Sequence, residues 1–248
     1  MRLTLAVERM RPSIFQIELQ RNHGNSRVTN PVGTAFAIHD AGYLITALHV
    51  IEFVEAELTR EEGSVMAAYA GPDVTTPEIM IRGAFVGCEF LVVDRDELND
   101  LALLKLPTGL NDIVTGQFGP KNAETRPKSC QLETEVPLDG EAIAVSGYPL
   151  NEPSLVTTSG YVASHWTLDN NRERILGDVT ANPGSSGGPA YKLKDAKVIG
   201  VCVAGRLSNI SDAEGNPVHL LKVASGLTLI VPALCVVSLL RRNGISIN

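Results

Sequence analysis

Short strand-like segments follow one another along almost the whole chain, and this succession most restricts what it can fold into. Residues 13–20 alternate apolar and polar side chains, while residues 34–38 and 43–46 flank a turn-forming sequence at residues 39–42. The alternation predicts strands, and the turn predicts a hairpin. Further strands of this first half are predicted at residues 64–70, 79–86, 90–93 and 101–106.

A polar stretch with several prolines, residues 107–127, separates these strands from a second set. Helical periodicity is convincing only at the end of the chain, where Leu234 and Val237 share a face and Pro232 opens the segment. We therefore predict a C-terminal helix at about residues 232–243. The strands of the second set are predicted at residues 141–146, 154–164, 174–180, 190–193, 198–204, 218–223 and 227–231.

Two consecutive sets of roughly six short strands predict an all-β fold of two packed antiparallel six-stranded β-barrels with a C-terminal α-helix, because closing a sheet removes its exposed edges. Residues 1–248 would then form a single domain. The N-terminal barrel is expected at about residues 13–115 and the C-terminal barrel at about residues 128–231. A site between the barrels would combine segments that are distant in sequence.

Composition excludes several classes of function. With 248 residues, 44% of them hydrophobic and 20% charged, the chain can bury a sizeable core and is not typical of a disordered protein. Its net charge of −7, without a run of Lys or Arg, favours neither nucleic acid nor an anionic membrane as a partner. The uncharged run at the N-terminus is too short for the apolar core of a secretory signal, and the apolar run at residues 229–240 is too short to cross a membrane. We therefore expect a cytoplasmic protein.

The cysteines give no indication of a metal or disulfide framework. Cys88, Cys130, Cys202 and Cys235 are widely spaced and form no Cys-x-x-Cys pair. This spacing favours free buried thiols. No metal and no cofactor are expected.

A glycine-rich segment at residues 182–189, Asn-Pro-Gly-Ser-Ser-Gly-Gly-Pro, is the first indication of chemistry. Its glycines permit backbone angles and close approaches that a side chain would block, so the amides of Gly184 and Ser186 can converge on a developing oxyanion. Ser186 is then a candidate nucleophile for acyl transfer. The same composition, taken alone, is also typical of an ordinary turn.

A serine hydroxyl needs a base that takes its proton and a third group that orients the base. His49 stands where an apolar run gives way to an acidic segment, and Asp100 opens the apolar run of residues 101–106. Each has an ordinary structural explanation when it is considered alone. With Ser186 they follow the order His, Asp, Ser, which one of the convergent triad folds uses.

Four segments around these residues resemble the trypsin-like, chymotrypsin-fold serine peptidases, and the HtrA-like bacterial branch is the most similar part of that family. The resemblance extends from residue 33 to about residue 244, but residues 107–139 and 206–222 match no part of the pattern. The four segments are residues 33–38, 44–50, 100–105 and 182–189.

The resemblance implies a serine endopeptidase that works through an acyl-enzyme intermediate. In such an enzyme Ser186 attacks the scissile carbonyl, His49 acts as general base and then as general acid, and Asp100 orients the imidazole. The amides of Gly184 and Ser186 form the oxyanion hole. Protein or peptide substrates are implied, and a regulatory protein partner is a further expectation.

The resemblance also implies a primary specificity pocket with two walls. No acidic residue occurs on either wall, so cleavage after Lys or Arg is not expected, and a small or medium aliphatic residue is expected before the scissile bond. Ser185 replaces the aspartate through which secreted zymogens of the family are activated, and no PDZ domain is expected in this chain. The walls are expected at Thr180, Ala181 and Asn182 on one side and at Val203, Ala204 and Gly205 on the other.

Two alternatives stay open. Residues 184–188 also fit the Gly-x-Ser-x-Gly pattern of α/β-hydrolases, which would make the chain an esterase or lipase, but Gly187, Gly188 and Pro189 disfavour the helix that must follow. The other alternative is a catalytically silent trypsin-like fold that acts as a protein-binding module. Covalent labelling of Ser186 distinguishes this module from an enzyme.

Overall fold

The computed structural model describes a mainly β protein with three α-helices in the described residues. The helices are Leu3–Met10 (α1), Leu48–Arg60 (α2) and Ala233–Arg242 (α3). The described residues are 3–23, 26–70, 74–75, 80–81, 85–113, 126–152, 154–168, 172–211, 214 and 216–246.

The first half of the chain forms an antiparallel seven-stranded sheet and a separate two-stranded pair. The pair is β5–β6, and the order within the large sheet is β7-β4-β1-β2-β3-β9-β8. The strands are β1 (Ile14–His23), β2 (Ser26–His39), β3 (Tyr43–Ala47), β4 (Gly63–Ala70), β5 (Val74–Thr75), β6 (Met80–Ile81), β7 (Phe85–Cys88), β8 (Leu91–Asp96) and β9 (Leu101–Lys105).

Burial along these strands follows their position in the sheet. The inner strands β3 and β9 are buried over almost their whole length, as expected of apolar runs that are bounded by turns. The edge strand β8 alternates exposed and half-buried residues. Strand β3 ends two residues before His49, and β9 begins directly after Asp100. The best-buried strands of the sheet therefore lead to both residues.

The second half forms a closed antiparallel barrel of six strands, in the order β10-β11-β12-β15-β14-β13. Closure leaves none of these strands as a free edge. A separate apolar cluster fills this barrel and includes Ile143, Val145, Ile175, Ile199 and Ile230. The strands are β10 (Ala142–Gly147), β11 (Val156–Leu168), β12 (Arg172–Asp178), β13 (Pro189–Lys192), β14 (Val198–Ser211) and β15 (Pro217–Pro232).

One larger core joins the two halves. It contains Phe36 and Leu103 from the seven-stranded sheet, Val201 from the barrel and Val236 from α3, all at 0% exposure. The buried residues of α3 recur at the spacing of an amphipathic helix. This helix therefore packs its apolar face on the joined core. Within the described residues, no helix is long and apolar enough to span a bilayer.

The predicted all-β fold class with a C-terminal helix is confirmed, and several details differ. In the described residues the first half is an open seven-stranded sheet rather than a closed six-stranded barrel, because no ladder joins its edge strands β7 and β8. The predicted strand at residues 79–86 is divided between β6 and β7, and residues 79 and 82–84 lie outside the described residues. Helices α1 and α2 were not predicted.

The largest difference in the second half concerns β15. Residues 218–223 and 227–231 were predicted as two strands, but they belong to one strand, which pairs with β14 on both sides of Gly226 with shifts of register. Gly226 has a φ of +82° at a bulge where the pairing passes from Gly205↔Thr228 to Leu207↔Ala224. The strand therefore bends at this glycine without ending, which is a common role of a bulge.

Candidate active site

His49 and Asp100 meet at the start of α2. His49 is the second residue of that helix, and its Nδ1 lies 2.7 Å from Oδ2 of Asp100. The other carboxylate oxygen of Asp100 accepts the backbone N–H of His49 at 2.9 Å, and its backbone carbonyl accepts that of Leu48 at 3.1 Å. Asp100 thus orients the imidazole and also satisfies two amides at the helix N-terminus.

This contact determines which imidazole nitrogen is available for chemistry. An ionised carboxylate only accepts hydrogen bonds, so Nδ1 of His49 carries the proton and Nε2 is left as an acceptor. The side chains of His49 and Asp100 are 44% and 33% exposed. The imidazole is therefore oriented and open to solvent, as a general base must be.

Asp100 has a backbone conformation that few residues adopt. Its φ is +61°, in the left-handed region that costs a non-glycine residue about 1 kcal/mol. Asp96 stabilises the preceding turn, because its carboxylate accepts the backbone and side-chain N–H groups of Asn99 at 3.1 and 2.9 Å. Strained backbone that neighbouring contacts maintain is typical of functional positions.

A buried arginine from the barrel contacts the same turn. Arg174 on β12 is 4% exposed, and its guanidinium donates to the carbonyl and side-chain oxygens of Asn99, both at 3.4 Å. It also donates to the carbonyl oxygen of Glu173 at 2.8 Å. Burial lowers the pKa of Arg174, and the nearby charge of Asp100 opposes this effect. The barrel thereby supports the turn that presents Asp100.

The loop between β12 and β13 carries the candidate nucleophile and packs against the segment that carries His49. At Gly187 the φ is +85°. A Cβ at Gly187 would lie 2.0 Å from the carbonyl oxygen of Thr34 and 3.0 Å from the amide nitrogen of Ala47, two residues before His49. Only glycine permits both this conformation and this approach.

The amides of this loop divide into two groups. Those of Ser185, Gly187 and Gly188 donate to backbone carbonyls at 2.9, 2.7 and 3.0 Å. The amides of Gly184 and Ser186 make no hydrogen bond in the part of the chain that the structure describes. Two unpaired N–H groups beside a serine hydroxyl are donors that a developing oxyanion can use.

The two adjacent serines have different surroundings. Oγ of Ser186 donates to the carbonyl oxygen of Val203 at 3.4 Å, which is long for a hydroxyl hydrogen bond. Among the described residues, this hydroxyl makes no hydrogen bond to His49. The Ser185 side chain is buried, and its Oγ accepts the amide of Asn182 at 3.4 Å. Ser186 is therefore the more accessible of the two hydroxyls.

The residues predicted to line the specificity pocket form two adjoining segments. Ala181 and Val203 are both 8% exposed. A Cβ at Gly205 would lie 2.8 Å from the carbonyl oxygen of Ala181, so the two segments approach closely. The other members of the set are Thr180 and Ala204, which are exposed, and Asn182, which is half-buried.

None of the four cysteines forms a disulfide. Cys202 is buried, and burial raises its pKa to about 12, so its thiol is protonated at neutral pH and is a poor nucleophile. In the described ranges, no three His, Cys, Asp or Glu side chains lie together as a metal site would require. The half-buried cysteines are Cys88, Cys130 and Cys235.

Comparison with known protein families identifies the chain. The model of the trypsin-like peptidase domain matches residues 33–201, a segment that includes His49, Asp100 and Ser186. The chain belongs to the trypsin-like peptidase family. The match begins within β2 and ends within β14, so it leaves out β1 of the seven-stranded sheet and β15 of the barrel.

A similar protein supports the same identification. The probable periplasmic serine endoprotease DegP-like of Halomonas elongata is 27% identical to this trypsin-like peptidase over 182 residues. The aligned region is 72% of this chain but only 30% of the relative, so the chain spans less than a third of that protein. The predicted resemblance to trypsin-like peptidases of the HtrA-like branch is confirmed.

Three residues near the site were not singled out from the sequence. Thr34, Leu150 and Arg174 contact the loop or the turn that carries the candidate residues. Thr34 belongs to an otherwise apolar strand segment, and this isolated polar residue was the available signal. Leu150 and Arg174 gave none, because their roles depend on contacts with distant parts of the chain.

Proposed function

We propose that this trypsin-like peptidase is a serine endopeptidase in which Ser186, His49 and Asp100 act together. The observation that carries the proposal is the 2.7 Å contact between Nδ1 of His49 and Asp100, which leaves Nε2 of the imidazole as the proton acceptor. The unpaired amides of Gly184 and Ser186 add donors for an oxyanion. A base with a fixed tautomer and donors beside a serine are the parts that acyl transfer needs.

The proposed reaction has two halves. Oγ of Ser186 attacks the scissile carbonyl while Nε2 of His49 accepts the hydroxyl proton, and the amides of Gly184 and Ser186 bind the oxyanion. The imidazolium, stabilised by Asp100, returns the proton to the leaving amine. Water then attacks the acyl-enzyme with His49 again as base, which releases the second product and restores the serine.

The hydroxyl of Ser186 must turn from Val203 to His49 before it can react. Its hydrogen bond to the Val203 carbonyl is 3.4 Å long, and such a long contact contributes little energy. A bound substrate replaces it as the hydroxyl rotates about χ1. Catalytic hydrogen bonds commonly shorten only when substrate binds.

Protein or peptide substrates fit the surface around the loop. A groove of about 550 Å³ adjoins Gly184, with Phe53, Leu150 and Pro183 among its walls. It lies on the side of the loop that faces the first sheet, where the leaving part of a peptide would lie. The other side of the loop adjoins Val203, which belongs to one of the two predicted specificity walls.

We further propose cleavage after a small or medium aliphatic residue. The six predicted wall residues carry no charge, and Ala181 and Val203 offer buried apolar surface. A charged side chain would therefore find no partner on these walls, while an aliphatic one would gain from burial.

Digestion of a denatured protein tests the endopeptidase proposal. The new termini are identified by mass spectrometry, with Ser186→Ala protein as the control. We expect internal cuts, mostly after Ala, Val or Leu, with wild-type protein alone. Cuts after Lys or Arg would contradict the specificity, and equal cutting by the Ser186→Ala variant would contradict the assigned nucleophile.

The direction of the Ser186 hydroxyl favours a second candidate, a catalytically silent protein-binding module. The hydroxyl contacts Val203 rather than His49, as it would in a fold that keeps the residues without the activity. Reaction of Ser186 with a serine-directed reagent decides between the two, because an unactivated serine is not labelled.

The cytoplasmic location and the regulatory partner stay predictions. The similar Halomonas elongata protein is named as periplasmic, which is a different compartment. A partner would be sought at residues 206–222, of which the described part continues β14 and β15 beyond the barrel. Residues 114–125 of the other candidate segment, 107–139, lie outside the described residues.

A further inference from the structure

Thr34, near the middle of β2, connects the first sheet to the loop of Ser186. Its side chain is 0% exposed. The hydroxyl donates to the carbonyl oxygen of Gly184 at 2.7 Å and accepts the amide of Tyr148 at 3.0 Å. Its backbone N–H donates to the carbonyl oxygen of Ser186 at 2.9 Å. One buried residue thus binds the carbonyls of both residues whose amides are proposed to hold the oxyanion.

These hydrogen bonds fix two peptide planes of the loop, with one peptide between them. The carbonyl of Gly184 and the carbonyl of Ser186 belong to the planes on either side of the Ser185–Ser186 peptide, which carries the Ser186 amide. Because both flanking planes are bound to Thr34, the peptide between them has little freedom to rotate. The Ser186 amide is therefore held in one direction.

The remaining oxyanion donor is fixed through a turn that Thr34 also contacts. The amide of Leu150 donates to the carbonyl oxygen of Pro183 at 2.8 Å, and this carbonyl shares a peptide plane with the Gly184 amide. Leu150 lies in the turn Pro149–Asn151, directly after Tyr148, whose amide binds the Thr34 hydroxyl. The hydroxyl therefore ties the turn and the loop together.

We propose that Thr34 is a positioning residue that holds the loop of residues 182–188 in the conformation required for oxyanion binding. This assignment rests on the proposed function. With Thr34 in this role, the chain orders its own oxyanion loop. It does not need the activating ion pair of the secreted zymogens, whose aspartate is replaced here by Ser185. Activity of the isolated protein, without an added partner, is then expected.

Substitution of Thr34 tests the assignment. Thr34→Val keeps the shape but leaves the Gly184 carbonyl and the Tyr148 amide without their buried partner. We expect the rate of Ser186 labelling by a fluorophosphonate, and kcat on a peptide ester, to fall about 10²-fold, as for loss of one oxyanion donor. KM should change little. Thr34→Ser keeps the hydroxyl and should restore both rates.

Tyr191→Phe is the matched control. Tyr191 is also 0% exposed, and its hydroxyl is hydrogen-bonded to Oγ of Ser146 at 2.8 Å, so the variant removes an equally buried hydroxyl that binds no carbonyl of the loop. We expect its kcat to stay close to the wild-type value. A loss equal to that of Thr34→Val would reduce Thr34 to a general structural role and overturn the assignment.

Failure of the assignment and failure of the proposed function give different results. If wild type is labelled and Thr34→Val is labelled equally fast, Thr34 does not position the loop. If wild type itself is not labelled, the proposed function is wrong and the assignment falls with it. Should Thr34→Val not fold, Thr34→Cys replaces it, because a thiol is a weaker donor of similar size. A wild-type rate in Thr34→Cys would overturn the assignment.

Discussion

The two halves of the molecule bring different kinds of groups to the candidate site. The open first sheet presents side chains, His49 and Asp100, and holds them by a hydrogen bond of 2.7 Å and a strained turn. The closed barrel presents mainly backbone, the amides of Gly184 and Ser186, together with one hydroxyl. The first sheet therefore contributes groups that side-chain contacts orient, and the barrel contributes donors that backbone conformation orients.

The difference appears again in what each half demands of its sequence. In the first sheet the critical positions require particular functional groups, an imidazole and a carboxylate. In the barrel loop they require the absence of a side chain, as at Gly187, where a Cβ would lie 2.0 Å from the carbonyl oxygen of Thr34. Substitutions in the two halves should therefore fail for different physical reasons.

The largest effect is expected in the first sheet, at Asp100. In Asp100→Asn the remaining oxygen can keep the hydrogen bond from the backbone N–H of His49, which leaves a donating NH2 group against Nδ1. The imidazole then takes the wrong tautomer. We expect kcat to fall about 10⁴-fold with the fold retained. The measurement is hydrolysis of a peptide ester, with Asp94→Asn, a carboxylate that binds Arg242 instead, as the control. Near-normal activity of Asp100→Asn would remove this residue from the site.

The next largest effect is expected in the barrel loop, at Gly187. Gly187→Ala places a Cβ against backbone that cannot give way, and its φ of +85° is unfavourable for alanine. We expect the rate of Ser186 labelling to fall by about 10²-fold or more, since the adjoining Ser186 amide is displaced.

Gly140 provides the control for that substitution. Its φ is +81°, but a Cβ there would have nothing within 4 Å. Gly140→Ala should therefore lose only about 1 kcal/mol of unfolding free energy and keep its labelling rate. Equal losses in both variants would mean that backbone conformation alone, rather than the close approach of the loop, determines the effect.

A smaller effect is expected at Arg174, which connects the barrel to the turn before Asp100. Arg174→Met removes the guanidinium that donates to Asn99 across the two halves, so the turn that presents Asp100 loses a support. We expect kcat to fall about tenfold through misplacement of Asp100 and His49. Arg206→Met, which loses only a contact with the Trp166 ring, should retain full kcat. A wild-type kcat in Arg174→Met would show that the first sheet orders this turn alone.

The smallest effect on activity is expected at Glu133, whose carboxylate binds Lys192 of β13 in a largely buried pair. This hydrogen bond holds the pKa of Glu133 below its usual range. The resulting stability is present above the pKa of an unfolded glutamate and is lost as the pH falls through the lower folded value. Wild type should therefore lose more stability between neutral and acid pH than Glu133→Gln.

Thermal unfolding at a series of pH values checks this expectation. Glu133→Gln should be less stable than wild type by about 2 kcal/mol at neutral pH, and the difference should disappear in acid. Its kcat at neutral pH should be unchanged, since the pair does not contact the site. A constant difference at all pH values would mean that the pair does not titrate as described.

Local pattern was sufficient for most strands and for α3, because alternation and helical period are visible over a few residues. Helix α1 was missed, since it buries only Ala6 and Met10 and leaves Leu3 and Leu5 exposed. The continuity of β15 was missed because Gly226 resembles a turn in sequence, and pairing with β14 keeps the strand intact. The open first sheet likewise depends on which distant strands pair.

The same distinction applies to the candidate site. His49, Asp100 and Ser186 were found from short motifs and their order, and their roles stay a proposal. Thr34 was not recognised, because its hydroxyl partners lie 114 and 150 positions away in sequence. Arg174 contacts Asn99 across 75 positions. Residues that position a site through long-range contacts leave no local pattern.

The most direct test of the central claim, an activated Ser186, is intact-protein mass spectrometry after incubation with a fluorophosphonate. Wild type is compared with Ser186→Ala and with Ser185→Ala, whose substituted serine is buried. We predict a single adduct on wild type and on Ser185→Ala, and none on Ser186→Ala. An unlabelled wild type, or an adduct that persists in Ser186→Ala, would contradict the claim.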